Sequence, residues 1–147
     1  MSNISEAQGL LVEDNPNDVE LILRALGKHG LAQRIQVVRD GAEALDYLFA
    51  EGAFANRPRP RQLSVIFLDL KLPKVSGLEV LQQIKSDERT RLIPVVILTS
   101  SMEDSDLHQS YRSGANSYMV KPVDYEQFVQ SVGTLGKYWL GLNEISR

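Results

Sequence analysis

The chain has 147 residues, 43% apolar and 24% charged, with a net charge of -3 and no cysteine, which is enough for one domain with its own core. Missing thiols exclude disulfides, thiolate catalysis and cysteine-bound zinc, and the acidic balance argues against a nucleic-acid-binding domain. No apolar run is long enough to span a bilayer and the opening MSNISEAQ lacks the basic and apolar regions of a signal peptide, so the expected location is the cytoplasm, with no membrane partner.

The first apolar run, Gly9-Leu10-Leu11-Val12, stops at Glu13-Asp14. Asn15 and Pro16 then suit a helix start, and Val19, Ile22, Leu23 and Leu26 repeat at helical spacing. Gly30 marks the helix end, and Ile35, Val37 and Val38 read as a short strand. Ala42, Leu45, Leu48 and Phe49 form the next helical stripe. Residues 51–63 carry no period and read as a long loop. Its Arg57, Arg59 and Arg61 alternate with prolines, which fits a stiff, solvated segment better than a docking surface.

A second run, Val65-Ile66-Phe67-Leu68, stops at Asp69, and Leu72-Pro73 reads as a turn. Gly77 follows where a tight approach or a positive φ is required, and Leu78, Leu81 and Ile84 give a helix opened by Ser76-Gly77. A third run, Val95-Val96-Ile97-Leu98, starts after Pro94 and stops at Thr99. Leu107 and Tyr111 give a weak helical stripe. The run Tyr118-Met119-Val120 stops at Lys121, and Tyr125, Phe128, Val129 and Val132 make a strong last stripe. The expected organisation is an extension at 1–7, a domain at 8–138 and a tail at 139–147.

This βα alternation, five times over, predicts an α/β fold: a doubly wound, five-stranded parallel sheet with helices on both faces. Runs without polar alternation fit strands covered on both sides. In such folds ligands bind at the carboxyl edge of the sheet, and all the strand-ending residues gather there. Carboxylates from two strands, Glu13-Asp14 and Asp69, suppress each other's ionisation unless a cation sits between them. Oxygen ligands suit Mg²⁺ or Mn²⁺. An aspartate can also take a phosphoryl group as nucleophile. A lysine and a hydroxyl would position phosphate oxygens. Singly, each residue has an ordinary explanation: Asp14 as a helix cap, Asp69 as a strand-end charge, Thr99 as a β-branched strand residue, Lys121 as a surface lysine.

The pieces LLVEDN at 10–15, FLDLKLPKVSG at 67–77, ILTSS at 97–101 and YMVKP at 118–122 resemble the receiver domain of two-component response regulators. That resemblance implies a flavodoxin-like receiver fold and a set of roles. Asp69 is expected as phosphoacceptor. Glu13 and Asp14, with Asp69 and the backbone carbonyl of Lys71, are expected to hold Mg²⁺. Thr99 and Lys121 are expected to meet the phosphoryl group, and Tyr118 to be the aromatic switch. The Lys121–Pro122 bond is expected to be cis, although only about 5–6% of such bonds are. The implied donor is a sensor histidine kinase, followed by hydrolysis of the acyl phosphate. With no room for an output domain, the response is expected to act in trans on a downstream protein.

The arginine-proline loop, the segment Gly114-Ala115-Asn116-Ser117-Tyr118 and the tail are similar to small regulators paired with bacterial phytochromes. These commonly form a homodimer through the fourth helix, fifth strand and fifth helix. Tyr138, Trp139 and Leu140 are therefore candidates either for a partner surface or for packing on their own domain. Gly9 departs from the family, which usually has a larger apolar residue there. An aspartate-dependent phosphatase resembling haloacid dehalogenases fails because Lys71 stands where its second aspartate belongs. A flavodoxin-like FMN site fails because the loop after the first strand is acidic. The remaining alternative is a pseudo-receiver that is never phosphorylated. His29 and His108 read as solvated.

Overall fold

The computed structural model describes residues 7–56 and 63–146. The basic residues Arg57, Arg59 and Arg61 lie outside the described residues. Among the described residues five strands form one parallel sheet, β1 Gly9–Val12, β2 Ile35–Val38, β3 Val65–Leu68, β4 Val95–Thr99 and β5 Ser117–Val120, in the order β2-β1-β3-β4-β5. Five helices alternate with them: α1 Pro16–Gly27, α2 Gly41–Phe49, α3 Gly77–Ser86, α4 Asp104–Arg112 and α5 Tyr125–Lys137.

Successive strand residues face opposite sides of a sheet, so the central strands need apolar residues at every position. Leu10, Val12, Ile66, Leu68, Val95 and Ile97 pack on one side with Tyr47, Leu48, Val80, Leu81 and Ile84 of α2 and α3. Leu11, Val65, Phe67, Val96 and Leu98 pack on the other with Ile22, Leu26, Phe128, Val129 and Val132 of α1 and α5. The sheet order reverses direction beside β1, between β1 and β3, and the crevice at that point lies against the carboxyl ends of both strands.

Side-chain caps start the helices immediately after the strand-end loops. Asn15 Oδ1 accepts from the amides of Asn17 (2.9 Å) and Asp18 (3.2 Å), with Pro16 in the first turn. Asp40, Ser76 and Asp124 cap α2, α3 and α5 in the same way. Each cap satisfies backbone donors that the first helical turn leaves free. Helix α4 differs. Its N-cap Glu103 makes no side-chain cap hydrogen bond, and its one buried residue is Ser110.

Two segments differ from expectation. The long loop contains a 3₁₀ turn at Gly52–Phe54, anchored by an edge-to-face contact of Phe54 with Tyr47 at 5.1 Å. Residues 139–142 of the expected tail continue the last helix in a π turn, Tyr138–Leu142, while 143–146 are not helical. Within it Leu140 is buried in its own domain among the residues of the α1/α5 face, and Trp139 packs partly against them. The Leu140 carbonyl accepts a 3.1 Å hydrogen bond from Arg34. Gly9 explains how the turn fits. A Cβ there would stand 2.7 Å from Ile35 Cδ1 and 3.3 Å from Leu140 Cδ2. The small residue in β1 leaves the space that those two side chains fill.

Leu140→Ala should therefore destabilise the monomer by about 2–4 kcal/mol, as deletion of a buried leucine does. Urea denaturation at a low protein concentration measures this. A loss that appears only at concentrations where chains associate would place Leu140 at a subunit contact instead.

Candidate functional site

Backbone pairing carries the ladder one residue past the strand ends. The Glu13 amide donates to the Val38 carbonyl (3.1 Å), Asp69 to Val12 (3.1 Å), and Lys121 to Thr99 (2.7 Å). The polar residues that stop the strands therefore stand side by side at one edge. Oxygen atoms of Glu13, Asp14 and Asp69 all lie within 4.8 Å of one another. Glu13 is 1% exposed and Asp69 7%, whereas Asp14 is open to solvent.

Lys121 reaches into this cluster. Its Nζ donates to Glu13 Oε1 at 2.7 Å, to Asp18 Oδ2 at 2.8 Å and to Asp69 Oδ2 at 3.1 Å. An ammonium has three donors, and all three are used. Burial pushes the Glu13 carboxyl up, Lys121 partly offsets this, and repulsion from Asp69 adds to it, leaving the group at about 7. Burial disfavours the charge on Lys121, but its bonds to Asp18 and Glu13 and the attraction of Asp69 outweigh that and hold it above the usual lysine value. A buried glutamate whose carboxyl is pushed up, beside two more carboxylates, is a donor set short of positive charge. The three clustered oxygens suit a hard divalent cation that keeps part of its water shell.

The loop after Asp69 folds tightly. The Lys71 amide donates to Asp69 Oδ1 at 3.2 Å, which fixes that carboxylate, while the Lys71 side chain is exposed. Gly77 is a close-approach glycine. A Cβ there would stand 2.1 Å from the Asp69 carbonyl oxygen, and its amide donates to the Leu70 carbonyl (2.9 Å). Its φ is not positive, so lack of a side chain is what the site requires of it.

Thr99 is fully buried, and its Oγ1 accepts from the Ser101 amide at 3.3 Å. The Tyr118 hydroxyl donates to the Ser101 carbonyl at 3.1 Å, and burial raises that phenol. The Ser101 hydroxyl in turn donates to Asp106 of α4. Thr99, Ser101, Tyr118 and α4 thus form one hydrogen-bonded chain leading away from the carboxylates. The expected cis bond before Pro122 is a correction: no peptide among the described residues is cis. Trans is the intrinsically favoured state of a prolyl bond, and here it is compatible with Lys121 bonding Thr99 through its backbone and the carboxylates through its side chain. His29 and His108 are exposed, as expected.

Sequence reasoning missed Asp18 and Ser101. Asp18 carries a usable signal, an acid in the first turn of the helix that follows Glu13-Asp14. Ser101 carries none beyond its nearness to Thr99.

Comparison with known proteins places the chain in a family. The response regulator receiver domain family matches residues 10–133. The probable methanogenesis regulatory protein FilR2 of Methanothrix harundinacea is 48% identical over 135 residues, 91% of this chain and 84% of its own. The response regulator Rcp1 of Synechocystis is 36% identical over 89% of this chain and 87% of its own. A solved Mn²⁺-bound form of Rcp1 superposes with a TM-score of 0.86 at 34% identity, covering 95% of this chain and 98% of that one. The phosphorylated cyanobacterial phytochrome response regulator RcpA superposes with a TM-score of 0.87 at 39% identity, over 97% of this chain and 99% of its own. The chain belongs to the response regulator receiver family, close in sequence and structure to the phytochrome response regulators.

Proposed function

We propose that this receiver accepts a phosphoryl group on Asp69 from a histidine kinase and uses it to switch a protein-binding face. The observation that carries the reading is the oxygen cluster of Glu13, Asp14 and Asp69 with the Lys121 ammonium 3.1 Å from Asp69. In the transfer, an Asp69 carboxylate oxygen forms a bond to phosphorus as the phosphorus–nitrogen bond of the phosphohistidine breaks, and the imidazole leaves and takes up a proton. Hydrolysis reverses the charge: water adds to phosphorus, inorganic phosphate departs and the carboxylate returns. Such transfers depend on positioning and charge neutralisation.

Glu13, Asp14, Asp69 and the Lys71 carbonyl are the groups we assign to Mg²⁺ or Mn²⁺, which neutralises charge on the phosphoryl oxygens when bound. The Mn²⁺-bound form of Rcp1 supports this assignment. Lys121 supplies a fixed positive charge to the phosphoryl oxygens, and the Thr99 hydroxyl supplies a hydrogen bond. A Thr99 that turns toward the phosphoryl group gives up its bond from Ser101, which also accepts from Tyr118. Helix α4 buries a single residue, Ser110, so little packing opposes its shift.

The similarity to RcpA, named as a phytochrome response regulator, supports a reading of the kinase class. We assign the kinase to a phytochrome-type sensor and the target to a downstream protein acting in trans. A homodimer through α4, β5 and α5 fits the exposed Tyr111 and Tyr125 on those helices.

Acetyl phosphate with Mg²⁺ should label the protein, chelation with EDTA should prevent it, and Asp69→Asn should abolish it, read by mass spectrometry. Label that persists on the Asn variant would move the acceptor elsewhere, and an intact wild-type protein that takes none from acetyl phosphate or a kinase would favour the pseudo-receiver reading. Lys121→Met should cost about 3–5 kcal/mol in EDTA, because it strips a buried cation from three carboxylates. Mg²⁺ should raise the melting temperature of that variant more than that of the wild type. Thr99→Ala should alter the phosphoryl lifetime by a few-fold while the circular dichroism spectrum stays native. Global unfolding would make Thr99 a core residue only.

A further inference from the structure

Asp18 stands outside the carboxylate cluster yet holds the same lysine. It is the third residue of α1, its amide bound to the cap Asn15. An acid in that position ordinarily only complements the positive end of a helix and faces water. Here the side chain is 23% exposed, and its Oδ2 lies 2.8 Å from a Lys121 ammonium that is 8% exposed. The acids of the site thus divide by partner. Asp14 belongs to the oxygen cluster and Asp18 to the lysine, while Glu13 and Asp69 serve both.

That division has a consequence once a divalent cation and a phosphoryl group arrive. A cation draws on Glu13 and Asp69, and phosphorylation consumes the Asp69 charge. Two of the three acceptors of Lys121 are then weakened together. Asp18 keeps its charge, because it is in neither set. A flexible lysine stem without an anchor samples many rotamers, and the entropy of ordering it falls on the transfer step. An anchor that the cation leaves alone removes that cost.

We propose that Asp18 is a positioning residue of the phosphoryl-transfer site, holding the Lys121 ammonium in place while Glu13 and Asp69 are engaged elsewhere. The role rests on the reading of Asp69 as phosphoacceptor, and it is separable from it by experiment.

The test compares full-length wild type, Asp18→Ala, Lys121→Met and the double variant. Acetyl phosphate labelling at saturating Mg²⁺ gives the apparent second-order rate constant, and calorimetry gives the Mg²⁺ affinity. Asp18→Ala should lower the rate constant by about tenfold, less than the about 10²-fold that a 1 Å misplacement can cost. Its Mg²⁺ affinity should stay within about threefold, since Asp18 lies outside the oxygen cluster. On the Lys121→Met background the same change should add nothing to the loss. Urea midpoints in EDTA provide a readout independent of transfer, and there too the two substitutions should be non-additive. Asp18→Glu, which keeps a carboxylate within reach of Lys121, should recover part of the rate. An equal loss with and without Lys121, or no loss at all, overturns the proposal. Loss of Mg²⁺ binding in Asp18→Ala overturns it as well, by making Asp18 part of the metal site. A folded wild-type protein that takes no label from any donor refutes the functional reading itself, and this role with it.

Discussion

The ammonium of Lys121 holds three carboxylates that would otherwise repel one another, and the geometry of the site follows from how it gets there. Parallel pairing of β1 with β3 sets Glu13 beside Asp69, and the Lys121–Thr99 backbone bond brings the lysine along the same edge. The apolar strand interiors make this arrangement rigid. Leu10 through Val12 and Val65 through Leu68 are nearly inaccessible to solvent on both faces. The carboxylates are thus held close by a core that has no interest in their charge, and the burial that results raises Glu13 toward neutrality. A site built this way is poised for added positive charge, and the bonds of Lys121 to Glu13 and Asp69, rather than its bond to Asp18, are what give way when such charge arrives.

Stability is distributed unevenly around that edge. Helices α1, α2, α3 and α5 each bury an apolar stripe and start from a side-chain cap. Helix α4 has neither, and its links to the site run through Ser101, Asp106 and Tyr118. A region held by polar contacts can exchange partners without opening the hydrophobic core. That is the physical requirement for a local electrostatic event to reach a distant surface. The C-terminal turn is the opposite case. Leu140 anchors it beside Gly9 at the amino end of β1, so the end of the chain reinforces the sheet at the end opposite the site.

The strands and their terminal residues were legible because covered parallel strands write themselves as unbroken apolar runs, and their order put Glu13, Asp69, Thr99 and Lys121 at one edge. The helical stripe of α4 was faint for a structural reason: that helix buries only Ser110, so no apolar period is needed. The C-terminal turn was not legible, because Tyr138, Trp139 and Leu140 are consecutive and a π turn breaks the 3.6-residue spacing. Gly9 read only as a departure from the family in β1, but its meaning depends on Leu140, a long-range contact that no local pattern encodes. The cis bond at Pro122 came from resemblance alone, and the structure has it trans. Asp18 was overlooked because an acid in a first helical turn has an adequate local explanation.

The most direct measurement is a crystal structure with Mg²⁺ and a phosphoryl mimic on Asp69. The account predicts an ion bound by oxygens of Glu13, Asp14 and Asp69, with Lys121 Nζ in hydrogen-bond reach of both the mimic and Asp18. An ion bound elsewhere, or a Lys121 side chain turned out to solvent, would contradict it.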